Sequence, residues 1–208
     1  MDKTKAKEII DILSEIYPHY ESFLNYHNNY ELLVAVILSA QTTDIRVNEV
    51  TPNLFKRYPN PYLLADANFS DVLTIIKSLG LAYNKANNII NMAKDLVTKY
   101  DGKVPNNKID LMSLSGVGPK TANVVLALGF NIPTIPVDTH VKKLAIRLGF
   151  AKKTDSLAII EEKLMKYIAK ESWINAHHLL ILYGRNVCKA INPKCEECKL
   201  KEYCKVKN

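Results

Sequence analysis

The sequence has no cysteine before residue 188. A disulfide-stapled scaffold is therefore excluded for most of the chain, and any sulfur chemistry is confined to residues 188–208. Long apolar runs are missing too. The longest, Leu32 to Leu38, covers seven residues with Ser39, Gln41 and Asp44 just beyond it, well short of the roughly 20 that cross a bilayer as a helix. The opening Met1-Asp2-Lys3-Thr4-Lys5 lacks the apolar core of a signal peptide, so the cytoplasm is the expected compartment. There is no low-complexity stretch, clear repeat or alternating strand pair, which argues against a disordered, solenoid or β-sheet protein. Acidic excess is also lacking: 28 Lys and Arg stand against 21 Asp and Glu, for a formal charge of +7. A basic surface attracts phosphate polymers by counterion release, although a Lys-rich surface without such a partner would have the same balance.

What is present is helical. The 208 residues, 48% of them hydrophobic, suffice for one or two domains with substantial cores. Ile9, Ile12, Leu13 and Ile16 trace one face of a first helix, and Leu32 to Leu38 is apolar all round, as in a central buried helix. Asp44 is expected to cap the next helix, with Pro52 kinking or restarting it. A helix is expected from Ser70-Asp71 to Gly80, another from Lys85 to Tyr100, and a short one around Ile109 to Leu114. Pro119 suits the first position of a helix ending near Gly129. After the extended Ile132 to Pro136, Asp138 is expected to cap a helix to Leu148, and Asp155 one to about Ala169. A last helix carries Trp173, Leu179, Leu180 and Leu182 towards Cys188. The fold class is all-α.

The four cysteines are spaced Cys188-x6-Cys195-x2-Cys198-x5-Cys204. Four thiolates in a short loop can hold a [4Fe–4S] cube or a tetrahedral zinc. Zinc ribbons usually present two tight C-x2-C pairs and this segment has one, so spacing leans to the cluster but leaves both open. Lys189, Lys194, Lys199, Lys201, Lys205 and Lys207 surround the thiols, as a phosphate-binding loop or as a solvated basic tail.

Leu114-Ser115-Gly116-Val117-Gly118-Pro119-Lys120-Thr121-Ala122 reads as helix, glycine turn, helix. Glycines let a backbone approach a ligand closely, and the N–H groups opening the second helix form a phosphate site. A plain helix connection has the same pattern. Lys120 falls in the first helical turn, where the dipole disfavours a cation. It is either a phosphate contact or a nucleophilic amine. The second role needs a pKa well below the ordinary value of about 10.4, which a helix N-terminus and partial desolvation lower. Asp138 can both cap its helix and support a cationic sugar or a proton transfer, because capping fixes the carboxylate's geometry.

Together these segments resemble the endonuclease III family, the bifunctional branch of the helix-hairpin-helix DNA glycosylases. The resemblance spans nearly the whole chain. It is carried by Leu38-Ser39-Ala40-Gln41-Thr42-Thr43-Asp44, Gly116 to Val125, Val137-Asp138-Thr139-His140 and the cysteine tail, whose every gap matches the family's [4Fe–4S] loop. It implies two helical lobes with a DNA cleft between them. Residues 22–133 would form a six-helix, barrel-like domain containing the hairpin (about 107–130), and 1–21 with 134–208 an iron–sulfur domain with its cluster loop at 188–204. It implies one [4Fe–4S] cluster held by the four cysteines, with Lys120 as nucleophile and Asp138 as its catalytic partner. Gln41 would fill the gap left by a flipped nucleotide. Leu81, otherwise read simply as core, would wedge into the opposite strand. Gly116, Gly118, Thr121 and His140 complete the expected DNA contacts, His140 through a hydrogen bond to protein or phosphate.

The implied activity is excision of oxidised pyrimidines followed by β-elimination at the abasic site. The implied partner is damaged or abasic duplex DNA, met by a monomer at the nucleoid and without a membrane. Adenine-excising relatives lack the lysine and carry a further C-terminal domain. Lys120, and an end at Asn208 soon after Cys204, put the expectation on the bifunctional lyase. The chain departs from the family at Pro119, where a basic residue is common, and in Ala82-Tyr83-Asn84 after the expected wedge.

Overall fold

The computed structural model describes residues 1–20 and 22–206. Glu21, on which the expected domain boundary falls, and Lys207 and Asn208 lie outside the described residues. Among the described residues the regular elements are helical, with no strand. They are α1 (Lys3–Ile16), α2 (Asn29–Leu38), α3 (Asp44–Arg57), α4 (Pro61–Ala65), α5 (Phe69–Ile76), α6 (Ala82–Tyr100), α7 (Lys108–Met112), α8 (Pro119–Phe130), α9 (Thr139–Arg147), α10 (Leu157–Tyr167) and α11 (Trp173–Asn186), with 3₁₀ turns at Lys170–Ser172 and Lys201–Tyr203. No helix among them is long and apolar enough to cross a membrane.

The chain divides into two compact units, Glu21–Phe130 and Met1–Tyr20 with Asn131–Asn208. In the first, α2 is the central rod: every residue from Tyr30 to Leu38 is buried, as its all-round apolar sequence requires. It packs on α3, α6 and α8, while α4 and α5 pack on α6. In the second unit α11 packs on α1 and α9, and α9 on α10. Gly184 permits the closeness of α9 and α11, since a Cβ there would stand 2.9 Å from both His140 Cβ and Leu144 Cδ1.

Several helix ends differ from expectation. Thr43 rather than Asp44 caps α3, its hydroxyl accepting from Arg46 N–H. Both residue types cap well, and the ladder begins where the backbone leaves the extended region. Helix α3 runs through Pro52 without a restart. Proline removes one ladder hydrogen bond, and Val47, Val50, Thr51 and Leu54 on both sides of it are buried. Asn68 caps α5, which stops at Ile76 well before Gly80. Helix α6 opens one turn before Lys85, directly after Leu81, and α4 had no expectation at all. Ser156, not Asp155, caps α10. Asp155 instead accepts from Lys152 N–H at 2.7 Å and Lys163 Nζ at 2.6 Å, which holds its carboxyl below the usual range, the lysine contributing most.

Candidate functional site

Helices α7 and α8 pack on each other and enclose the glycine turn, forming the helix-hairpin-helix. Leu114 and Val117 are buried and pin the turn to the core of its unit. Gly116, Gly118, Pro119 and Lys120 face solvent. The two glycines serve different ends. Gly116 has φ +77°, and a Cβ there would meet Asn88 Cβ at 2.8 Å. Gly118 has nothing within 4 Å of a Cβ position and lies outside the left-handed region, so its surface is open to an approaching group. Lys120 is the second residue of α8, and half-buried Thr121 is the third. Amides in this first turn have no acceptor within the helix.

Gln41 and Leu81 stand on the same unit. Both are exposed and both are left-handed, with φ 54° and 59°. Their turns adjoin, since a Cβ on Gly80 would be 3.6 Å from Gln41 O. Leu81 is 53% exposed and so is not core. Beneath the two turns Lys85 is buried and donates through Nζ to Thr42 Oγ1 at 2.6 Å. Burial lowers its pKa.

In the other unit Asp138 caps α9, a carboxylate oxygen accepting from Val141 N–H at 2.7 Å. The side chain is half-buried. His140 is half-buried beside Gly184. Its Nδ1 is buried without a hydrogen-bond partner among the described residues.

The four cysteines lie at and beyond the end of α11, each part-buried and none in a disulfide. Cys188 Sγ accepts from Arg147 Nη1 at 3.1 Å and Cys198 Sγ from Tyr183 Oη at 3.2 Å. Burial, and then the bond to Cys198, push the Tyr183 phenol above its ordinary pKa. The segment is anchored by fully buried Leu200, by Cys188 N–H to Tyr183 O at 2.8 Å and by Lys205 N–H to Arg147 O at 2.7 Å. Among the described residues no three His, Cys, Asp or Glu side chains are gathered into a metal-holding group. The donor chemistry nonetheless fits an iron–sulfur group: four thiols, none in a disulfide, two of which accept hydrogen bonds from Arg147 and Tyr183. Of the surrounding lysines, Lys189, Lys194, Lys199, Lys201 and Lys205 are exposed, although Lys194 and Lys201 pair with Glu197 and Glu196.

The sequence assigns no site role to Lys85, Asn88, Arg147 or Tyr183. For Lys85 a signal existed: it shares a helical face with Ile89, Met92 and Leu96, all buried, and a lysine on an apolar face needs a reason. The hydrogen bonds of Arg147 and Tyr183 join residues distant in sequence or across a turn, and no local pattern marks them.

Residues 34–170 match the model of the HhH-GPD superfamily base excision DNA repair proteins. Residues 188–204 match the model of the iron–sulfur binding domain of endonuclease III. Endonuclease III of Bacillus subtilis is 43% identical over 94% of this chain and 90% of its own length. That of Escherichia coli K12 is 41% identical over 100% and 98%. A solved endonuclease III trapped as a covalent intermediate with DNA superposes with TM-score 0.95 at 42% identity, covering 99% of this chain and 96% of that one. A thermostable thymine-DNA glycosylase, 21% identical with TM-score 0.87, shares the fold. The resemblance read from the motifs therefore holds: the chain belongs to the endonuclease III family of the HhH-GPD superfamily of base excision DNA repair proteins.

Proposed function

We propose that the chain excises oxidised pyrimidines from duplex DNA and cleaves the abasic site by β-elimination, with Lys120 as nucleophile and Asp138 as its catalytic partner. The observation that carries this reading is Lys120 itself, a solvent-exposed amine in the first turn of α8 directly after the hairpin. The unpaired amides of that turn draw a phosphate to the same place. The target nucleotide is flipped out of the stack, since chemistry at its sugar is blocked inside the duplex. Neutral Lys120 Nζ attacks C1′, the C1′–N bond breaks, and the base leaves with a proton. The sugar ring opens at C1′–O4′ to a protonated Schiff base. Loss of a C2′ proton then expels the 3′ phosphate, cutting the strand on the 3′ side of the lesion. Asp138, held by its own cap, stabilises positive charge at the sugar and manages protons.

Gln41 fills the vacated stack and Leu81 enters the opposite strand. Gly116, Gly118 and Thr121 hold one backbone, and His140 contributes a polar or phosphate contact. Cys188, Cys195, Cys198 and Cys204 would hold one [4Fe–4S] cluster, which supplies a structural pin and a basic DNA-binding loop when bound. The protein acts as a monomer on DNA in the cytoplasm, and the two units of the fold correspond to a hairpin domain and an iron–sulfur domain.

The test is borohydride trapping on a duplex with one abasic site, with native protein and Lys120→Ala. A covalent adduct formed by the native protein and lost in the variant is expected. No adduct with native protein that absorbs near ~400 nm, as iron–sulfur proteins do, would remove the lyase mechanism.

A further inference from the structure

Lys85 is placed where a lysine is costly. Only 3% of it is exposed, and it lies in the first turn of α6, where the helix dipole opposes a cation. With no carboxylate paired to it among the described residues, burial penalises the charged amine further, in line with its lowered pKa. What it does in return is join two turns. Its Nζ donates to Thr42 Oγ1 at 2.6 Å, and its backbone N–H donates to Leu81 O at 3.0 Å. Thr42 directly follows Gln41, so one residue grips both turns from below.

Those turns carry two exposed side chains in a backbone region that L-residues rarely adopt, Gln41 at φ 54° and Leu81 at φ 59°. Such a residue persists only where its surroundings over-determine it. Neither is a glycine, and neither is buried. The Leu81 turn adjoins the Gln41 turn at Gly80, where an added Cβ would be in ordinary contact with Gln41 O at 3.6 Å and Thr42 Oγ1 at 3.8 Å.

We propose that Lys85 is a positioning residue that locks the Gln41 and Leu81 turns into one pre-organised, two-pronged wedge for the DNA stack. The inference rests on the reading above, that these two side chains enter the duplex. Opening a base step is energetically costly. Prongs already fixed in register lose little further freedom on insertion, whereas two independently mobile turns would each have to be ordered.

The test uses duplexes with a non-cleavable abasic analogue and 2-aminopurine beside it, whose fluorescence rises when the stack is opened. Native protein is compared with Lys85→Met, which keeps the length and removes the donor, and with Thr42→Val, which removes the acceptor. The expected result is a fluorescence step slowed ~10-fold in both variants, about the worth of one lost hydrogen bond. The double variant should be no worse than the worse single, because both remove the same link. Borohydride trapping on single-stranded abasic DNA, which has no stack to open, should stay within ~2-fold of native, and the melting temperature of Lys85→Met should not fall, since a desolvated cation has gone.

Native-like fluorescence kinetics in Lys85→Met would overturn the proposal. So would a parallel loss of melting temperature and single-strand trapping, which marks a merely structural lysine. If native protein trapped abasic DNA but gave no fluorescence step, the wedge reading of Gln41 and Leu81 would fall, and this inference with it. A native protein that trapped nothing would instead refute the lyase reading.

Discussion

Replacing each glycine of the hairpin by alanine should separate folding from DNA binding. At Gly116 the backbone has φ +77°, and an L-residue there costs about 1–2 kcal/mol. The new Cβ would stand 2.8 Å from Asn88 Cβ, inside the ~3.5–4.0 Å of a favourable carbon contact. Because Asn88 Cβ is fixed to the α6 backbone it cannot swing aside, and overpacking of this kind costs about 1–3 kcal/mol. Reduced freedom of the unfolded chain returns about 0.4–1 kcal/mol. Gly116→Ala should therefore be destabilised by about 3 kcal/mol, which lowers the urea midpoint by roughly 1–2 M at an m-value of about 2 kcal/mol/M.

At Gly118 a Cβ meets nothing within 4 Å and no positive φ is required. Gly118→Ala should keep its stability within about 1 kcal/mol of native, since nothing is displaced and only the freedom of the unfolded chain is reduced. It should nevertheless bind an abasic-analogue duplex about 10-fold or more weakly at fixed salt, because the methyl group holds a phosphate away from the turn's amides. The assays are urea melts followed by circular dichroism and fluorescence anisotropy. A native urea midpoint for Gly116→Ala would refute the strain and packing argument. Native affinity for Gly118→Ala would refute the close approach of a phosphate.

Other substitutions probe the second unit. Asp138→Asn keeps a side-chain oxygen for Val141 N–H, so it should melt like native yet lose about 100-fold or more in base excision; a fully active Asp138→Asn would refute a role in chemistry. Asp138→Ala should lose that activity and also about 1 kcal/mol of stability as the cap goes. For Asp155 the folded pKa is depressed by Lys163 and by Lys152 N–H. Its contribution to stability is thus present above the ordinary carboxylate value of about 3.9 and disappears as pH falls through the depressed value. Asp155→Asn should melt below native at neutral pH, with the gap closing in acid, and a gap that persists at the lowest pH would contradict the pairing.

Chemistry that is local in the chain was legible before any fold was known. The cysteine spacing, the Gly116-to-Lys120 turn and the cap at Asp138 each depend on residues a few positions apart, where backbone geometry leaves few choices. Helix α2 was equally plain, because a run apolar on all sides has only the interior to occupy. Ends of helices were less so: Thr43 and Asp44, or Asp155 and Ser156, are adjacent residues with the same capping chemistry, and packing decides between them.

What depends on chain folding was not legible. Leu81 reads as core by its type, yet 53% of it is exposed, because it precedes α6 in a left-handed turn that adjoins the Gln41 turn. Lys85 reads as surface by its type, yet it is buried under both turns and bonded to Thr42. The bonds from Arg147 to Cys188 and from Tyr183 to Cys198 likewise follow from how α9 and α11 meet the cysteine segment. Residue type and short-range spacing determine which chemistry the chain carries. Which side chain is buried, strained or hydrogen-bonded to a distant one is settled by tertiary packing, since burial and long-range contact are properties of the surroundings and not of the residue.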